Sequence, residues 1–350
     1  MHNLKLTKKL GILFFSAILL FNYSCKEEKS ENNKNSETKT FSNSIKKLKV
    51  QFGWIPDVHH SGFYLASKNG YYKEENIDID FIPGGLDSNP VSLTVSGSVD
   101  IGQAGGLEQF IPAVSNNLPI TAFMTLHPLN TPHAIISLSR KPIKKPNDLK
   151  GKKVAVAYGD AAEILLNTLI KKNNIDKASI NFEPFRFDLR PLIDGRVDAI
   201  TGFSTDQPAT LEAQNLKPVI MDYASMGVKS YGYIFFCKNQ MLQEHPEYIE
   251  GFIKASRKGF QYAFDHPKEA IDIMVTGSKG GLKEDIEQRK LNLVKKLMVN
   301  SSNKLASWNI EADVFNEVTK NLIDQKQIKT KIPLEKVVST KFKDINAKNY

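Results

Sequence analysis

Residues 48–81 read LKVQFGWIPDVHHSGFYLASKNGYYKEENIDIDF, and their hydrophobic pattern changes period twice. Leu48-Lys49-Val50-Gln51-Phe52-Gly53 reads as a buried strand, residues 60–69 as a helix, and Gly70 stands where a helix needs a residue tolerant of the left-handed region. Ile77-Asp78-Ile79-Asp80-Phe81 then alternates with the period of two that a strand imposes. Strand, helix and strand in this order predict a parallel α/β layer. The same stretch packs Trp54, Asp57, His59 and His60 close together. Its chemistry is therefore a metal site, an acid/base pair or a pocket wall.

The alternation continues outward. A glycine-containing loop at 83–90 leads into a helix ending near Ser96, followed by a short strand at 100–102, a helix at 107–115 and a strand at 120–126. A second series follows residues 142–151: strands at 153–157, 180–184, 197–201 and 219–222, with helices at 161–172, 189–193 and 208–214 between them. Two doubly wound lobes are expected, joined by a hinge of two crossing segments at 133–139 and 231–238. Beyond Met241 the pattern is helical, with Ile249, Phe252, Ile253, Ser256 and Phe260 on one face. With 350 residues, 41% of them hydrophobic, the chain is long enough for two domains.

The N-terminus carries different information. Lys5, Lys8 and Lys9 precede an uninterrupted apolar run at 10–21, too short for a membrane span of about 20 residues but suited to the core of a signal peptide. Phe21-Asn22-Tyr23-Ser24-Cys25 resembles a bacterial lipoprotein signal of the looser kind found in Bacteroidota, and Cys25-Lys26-Glu27-Glu28 resembles their surface-export signal. Lys, Glu, Asn, Ser and Thr dominate the following stretch, as in a disordered tether. The expected division is therefore a signal peptide at 1–24, lipidated Cys25 and tether at 25–45, lobe I at 46–136 with 233–350, and lobe II at 137–232. Loss of the leader lysines lowers the formal charge from +9 to +6, spread along the chain. That describes a solvated basic surface and no nucleic-acid stripe. Cys237, within an apolar run, reads as a core residue, and with Cys25 acylated no internal disulfide forms.

Several motifs occur in a telling order: Trp54-Ile55-Pro56 with His60 and Gly62; residues 70–78; Ser96-Gly97-Ser98-Val99-Asp100-Ile101-Gly102; residues 148–155; Leu192-Ile193-Asp194-Gly195-Arg196-Val197-Asp198-Ala199; and His245-Pro246-Glu247. In this order they resemble the superfamily of periplasmic solute-binding proteins that includes binders of the thiamine pyrimidine precursor and, on the same fold, the fungal pyrimidine synthase. The resemblance implies a two-lobed type II periplasmic binding protein with its ligand in the interlobe cleft. It also implies an ABC permease as partner, a monomer tethered to the cell envelope and facing the periplasm, and a small nitrogen heterocycle as solute. Binders of riboflavin, sulfonate or nitrate are the neighbouring alternatives.

The two motifs with Gly97-Ser98-Val99-Asp100 and Gly195-Arg196-Val197-Asp198 have a sufficient scaffold reading: glycine ends a helix, valine enters the core and aspartate holds the turn. The loops after the strands supply the cleft, since ligands sit at the carboxyl ends of parallel strands. For an aminopyrimidine, Asp57 or Asp206 would accept from an exocyclic amine, Gln103 or Gln207 would pair with a ring edge, and Trp54, Tyr158 or Phe203 would stack. His60 is expected to touch solute and His59 to be solvated. Ser88 and Asp160 are candidates that double as helix caps, and Phe187 with Asp188 lies close to Arg190.

An enzyme reading is tested by the synthase's own equipment. Its cofactor lysine follows the counterpart of Asp100-Ile101-Gly102, where this chain continues Gln103-Ala104-Gly105-Gly106-Leu107-Glu108, without lysine or histidine. The synthase's cysteine-rich iron segment falls at 226–232, which contains no cysteine. No cofactor and no metal are therefore expected. An exported thiamine-salvage enzyme using the same cleft is the alternative of another class.

Overall fold

The computed structural model describes residues 45–85 and 87–349. The expected leader, the acylated Cys25 and the tether as far as residue 44 lie outside the described residues. Ten strands form two five-stranded sheets: β1 (Lys46–Gln51), β2 (Ile77–Ile82), β3 (Ile101–Gly106), β4 (Ile120–His127), β5 (His133–Leu138), β6 (Lys153–Val156), β7 (Asn181–Pro184), β8 (Ala199–Phe203), β9 (Pro218–Asp222) and β10 (Gly232–Lys238). The orders are β2-β1-β3-β10-β4 and β7-β6-β8-β5-β9. In each, three parallel strands are followed by one antiparallel strand, β10 or β5; β10 returns to the first sheet from beyond the second, whereas β5 opens the unbroken run β5–β9 that builds the second.

This topology corrects the expected hinge. β5 is buried along its whole length and β10 in all but its last residue. Strands covered on both faces read as continuous apolar runs, so both segments were strand-like in sequence, but nothing in that run says which sheet a strand joins. The chain changes sheet at residues 128–132 and 223–231 instead. β3 is also longer than expected, so Gln103, Ala104 and Gly105 belong to the strand and not to a loop after it.

The two halves repeat a local device. The Asp100 carboxylate accepts from the backbone N–H of Lys49 at 2.7 Å, and Asp198 accepts from that of Lys153 at 2.9 Å. Each ties the turn before β3 or β8 to the neighbouring strand. Gly97 and Gly195 adopt φ of +81° and +76°, a region costly for residues with a Cβ. These motifs are thus scaffold at the edge opposite the cleft.

The carboxyl-terminal helices complete the core. Helix Pro246–Asp265 crosses helix Ser61–Lys68 so closely that a Cβ on Gly62 would lie 2.3 Å from the Phe260 ring. Around this crossing, Phe63, Phe252 and Phe260 are fully buried, as is Cys237 on β10. Helix Glu284–Met298 packs against the Val58–His60 turn and against helix Gln207–Glu212. That position brings its polar face to the cleft.

Candidate functional site

A cleft of about 1260 Å³ opens at the carboxyl ends of β1, β3, β6 and β8. Small-molecule sites typically occupy some 300–1,000 Å³, so a ring with substituents fits with space to spare. Trp54, Asp57, Ser88, Gln103, Tyr158, Asp160, Phe187, Phe203, Asp206 and Gln207 all line it.

Its aromatic walls come from both halves of the molecule. Trp54 follows β1 and meets Phe187, which follows β7, with ring centroids 5.0 Å apart. Tyr158 is 55% exposed, a large apolar face open to a ligand. Phe187 and Tyr233 both line the cleft, and both hold φ near +60° (60° and 55°). Bulky side chains rarely occupy that region, and strain of this kind concentrates at ligand sites.

Polar groups are fixed by the fold before any solute arrives. Gln103 on β3 is 1% exposed, and its Oε1 accepts from the Gly53 N–H at 2.8 Å. That bond orients the amide, leaving Nε2 buried at the cleft wall with no partner among the described residues. A buried donor without a partner costs free energy that an acceptor atom on a solute would recover. Gln207 is oriented likewise, its Oε1 accepting from the Phe203 N–H at 2.6 Å. Asp160 caps helix Ala161–Lys172 and also accepts from Gln109 of the first half at 3.2 Å. Glu108 is almost fully buried and accepts from the Ser230 hydroxyl at 2.9 Å; burial pushes its carboxyl up to about 7.

At one end of the cleft stands a charge cluster. The Lys290 ammonium lies 3.0 Å from Asp57 Oδ2, 3.0 Å from Asp206 Oδ1 and 3.2 Å from Glu287 Oε1. Asp57 Oδ1 accepts from the His59 backbone N–H at 3.0 Å and faces His59 Nδ1 at 2.9 Å. His59 Nε2 faces the Thr205 hydroxyl at 2.9 Å, across the division between the sheets. Burial alone would raise Asp57, but His59 and Lys290 outweigh it and hold the carboxyl well below its ordinary value. Burial likewise opposes the His59 charge, yet Asp57 and Asp206 raise that imidazole above its ordinary value. The ammonium of Lys290 is raised too, since Asp206, Asp57 and Glu287 outweigh its desolvation.

Residues 57–270 of this chain match the NMT1/THI5-like family. The chain belongs to that family. Among its relatives is a formylaminopyrimidine-binding protein of Halalkalibacterium halodurans, 23% identical over 87% of this chain and 91% of the relative. Another is a 4-amino-5-hydroxymethyl-2-methylpyrimidine phosphate synthase of Saccharomyces cerevisiae, 26% identical over 65% of this chain and 72% of the relative. Among solved structures, the periplasmic aliphatic sulphonate-binding protein SsuA of Escherichia coli superposes with a TM-score of 0.67 at 14% identity, covering 85% of this chain and 93% of the other. The fold is thus the two-lobed α/β arrangement of the type II periplasmic binding proteins.

Within this NMT1/THI5-like chain, some expected contacts move. His60 does not line the cleft: it is 1% exposed, between Phe52 at 4.3 Å and Tyr233 at 5.7 Å. His59, expected in solvent, is fully buried because Asp57 and Thr205 satisfy both ring nitrogens. Asp188 is also absent from the wall. It pairs with Arg190, 2.7 Å from Nη2, and its Oδ1 accepts from the Arg190 backbone N–H at 3.0 Å. Ser88 lines the cleft, but its hydroxyl closes a turn with Gly85 at 3.0 Å. Asp57 is crowded by His59 and Lys290, which leaves Asp206 the more open carboxylate. Lys290, Glu287, Glu108, Gln109 and Tyr233 escaped the sequence reading. Lys290 sits in a helix rich in charge, where one lysine looks like any other solvated cation.

Proposed function

We propose that this chain is the solute-binding protein of an ABC importer, capturing a small, neutral nitrogen heterocycle in the cleft, with an aminopyrimidine related to the thiamine precursor as first choice. The observation that carries this reading is the character of the polar wall. Carboxylates and oriented amides predominate, while the lining cations are Arg186, which is exposed, and Lys290, whose three N–H groups face three carboxylates. A sulfonate or nitrate needs several converging donors, and this wall carries more carboxylates than cations. An aminopyrimidine presents an amine for Asp206, a ring nitrogen for the Gln103 amide and a face for Trp54 or Tyr158. The name of the Halalkalibacterium relative supports the same choice.

Contacts from both halves would favour the closed form, and the permease would read that difference. In this reading the protein is a monomer held at the envelope by an acylated Cys25 and faces the periplasm. It uses no cofactor and no nucleic acid. Mass spectrometry of solute released from the purified, denatured protein should find an aminopyrimidine, and added aminopyrimidine should raise the melting temperature. Release of a sulfonate, nitrate or a flavin instead would overturn the choice of ligand. The name of the yeast relative favours a second reading, an exported enzyme of thiamine salvage. Turnover of a pyrimidine by the purified chain without added pyridoxal phosphate or iron would decide for it.

A further inference from the structure

The charge cluster has the composition of a cation site with the cation supplied by the protein. One ligand atom each from Asp57, His59 and Asp206 lies within 4.8 Å of the others, the spacing of groups that share a metal ion. The Lys290 ammonium stands among them, its side chain only 12% exposed. An ammonium has three protons, and the three carboxylates at 3.0, 3.0 and 3.2 Å account for all of them. Those carboxylates are anchored elsewhere. Glu287 Oε2 accepts from the Val58 N–H at 3.1 Å, and Asp57 Oδ1 faces His59. Asp57 and Asp206 come from different halves of the molecule, and Lys290 from a third segment that packs against both. None of this geometry serves an anion, because no Lys290 proton remains to be donated.

We propose that Lys290 is the specificity-determining residue of the cleft: its tethered ammonium occupies the cation position between Asp57 and Asp206, so the pocket selects neutral rings over cationic rings of the same shape. This rests on the functional reading above. Without Lys290, Asp57 would keep His59 beside it, but Asp206 would lose the ammonium that pairs with it, and a ring cation would be drawn to the cluster more strongly. With it, a fixed positive charge stands 3.0 Å from each of the two aspartates and weakens the field that a ring cation would meet. The pocket then discriminates N-alkylated ring cations from neutral aminopyrimidines by charge, independently of shape. The same replacement would expose a latent divalent-metal site made of Asp57, His59 and Asp206.

The test uses the full chain and its Lys290→Met variant, which keeps most of the side-chain stem and removes the charge. Calorimetry with 4-amino-2-methylpyrimidine and with its N-methylated cation measures selectivity, and a zinc titration measures the latent site. The unaltered protein should prefer the neutral ring at least tenfold and bind no zinc at this cluster. Lys290→Met should lose or invert that preference by tenfold or more, and gain one zinc that a Lys290→Met, Asp206→Asn double variant does not bind. An unchanged ring preference in folded Lys290→Met overturns the proposal, whatever the zinc titration shows. If Lys290→Met unfolds alone, recovery of native circular dichroism on adding zinc supports the proposal, and failure to recover overturns it. If the unaltered protein binds neither ring, the functional reading falls, and the zinc titration still judges Lys290.

Discussion

Replacing Glu108 by Gln isolates the cost of a carboxyl buried beside the cleft. Glu108 is 3% exposed and its carboxyl is raised from 4.5 to about 7, first by burial and further by Asp160, against the Ser230 hydroxyl that favours the charged form. In the unfolded chain this group ionises near 4.5; in the folded chain it holds its proton until about 7. Rising pH therefore draws the proton off the unfolded state first, and stability falls across that interval. At about 1.36 kcal/mol per unit, the loss accumulates to about 3 kcal/mol and is complete above pH 7. A glutamine keeps an oxygen for the Ser230 hydroxyl and has no proton to lose. Urea unfolding of both proteins without solute, at pH 4 and pH 8, should show the variant gaining about 3 kcal/mol relative to the original chain between the two. Other titrating groups are shared and largely cancel in the difference. A stability difference that stays flat from pH 4 to pH 8 would refute the burial argument for Glu108.

Three further outcomes follow from the packing. Trp54→Ala should weaken aminopyrimidine binding at least tenfold in calorimetry while leaving the urea midpoint nearly unchanged, since Trp54 is only half-buried. Gly62→Ala should cost about 1–3 kcal/mol in urea unfolding, because the new Cβ meets the Phe260 ring at 2.3 Å where two helices cross. Asp57→Asn should destabilise by about 3–5 kcal/mol at pH 7, because Lys290 and His59 lose a buried counter-charge. Asp57 is held below 3.8, so its stabilisation is present above that pH and disappears as pH falls through its lower folded value; the gap between the two proteins should close in acid unfolding.

Much of the architecture was legible in residue periodicity. Alternation at residues 77–81 and helical spacing at 161–172 describe local backbone, and the structure places β2 at Ile77–Ile82 and a helix at Ala161–Lys172. The paired Gly97/Asp100 and Gly195/Asp198 turns were readable for the same reason: each acts on its own neighbourhood and on the strand beside it. The errors are equally instructive. β5 and β10 were strand-like in sequence yet passed for hinges, because their pairing inside a sheet depends on strands far away in the chain. His59 passed for a solvated histidine because its Thr205 partner is 146 residues away.

The candidate site divides along the same line. Trp54 and Asp206 could be found from sequence because they follow strands whose carboxyl edges are predictable, and Gln103 because it was expected just past the end of β3, although it lies within that strand. What only the tertiary structure decided is their company. Lys290 reaches Asp57 across 233 residues and pairs with Asp206 on the other sheet. Hydrophobic period reports which way a side chain points from its own element. It carries no information on which distant element will arrive opposite, and that arrival is what sets the field in the cleft.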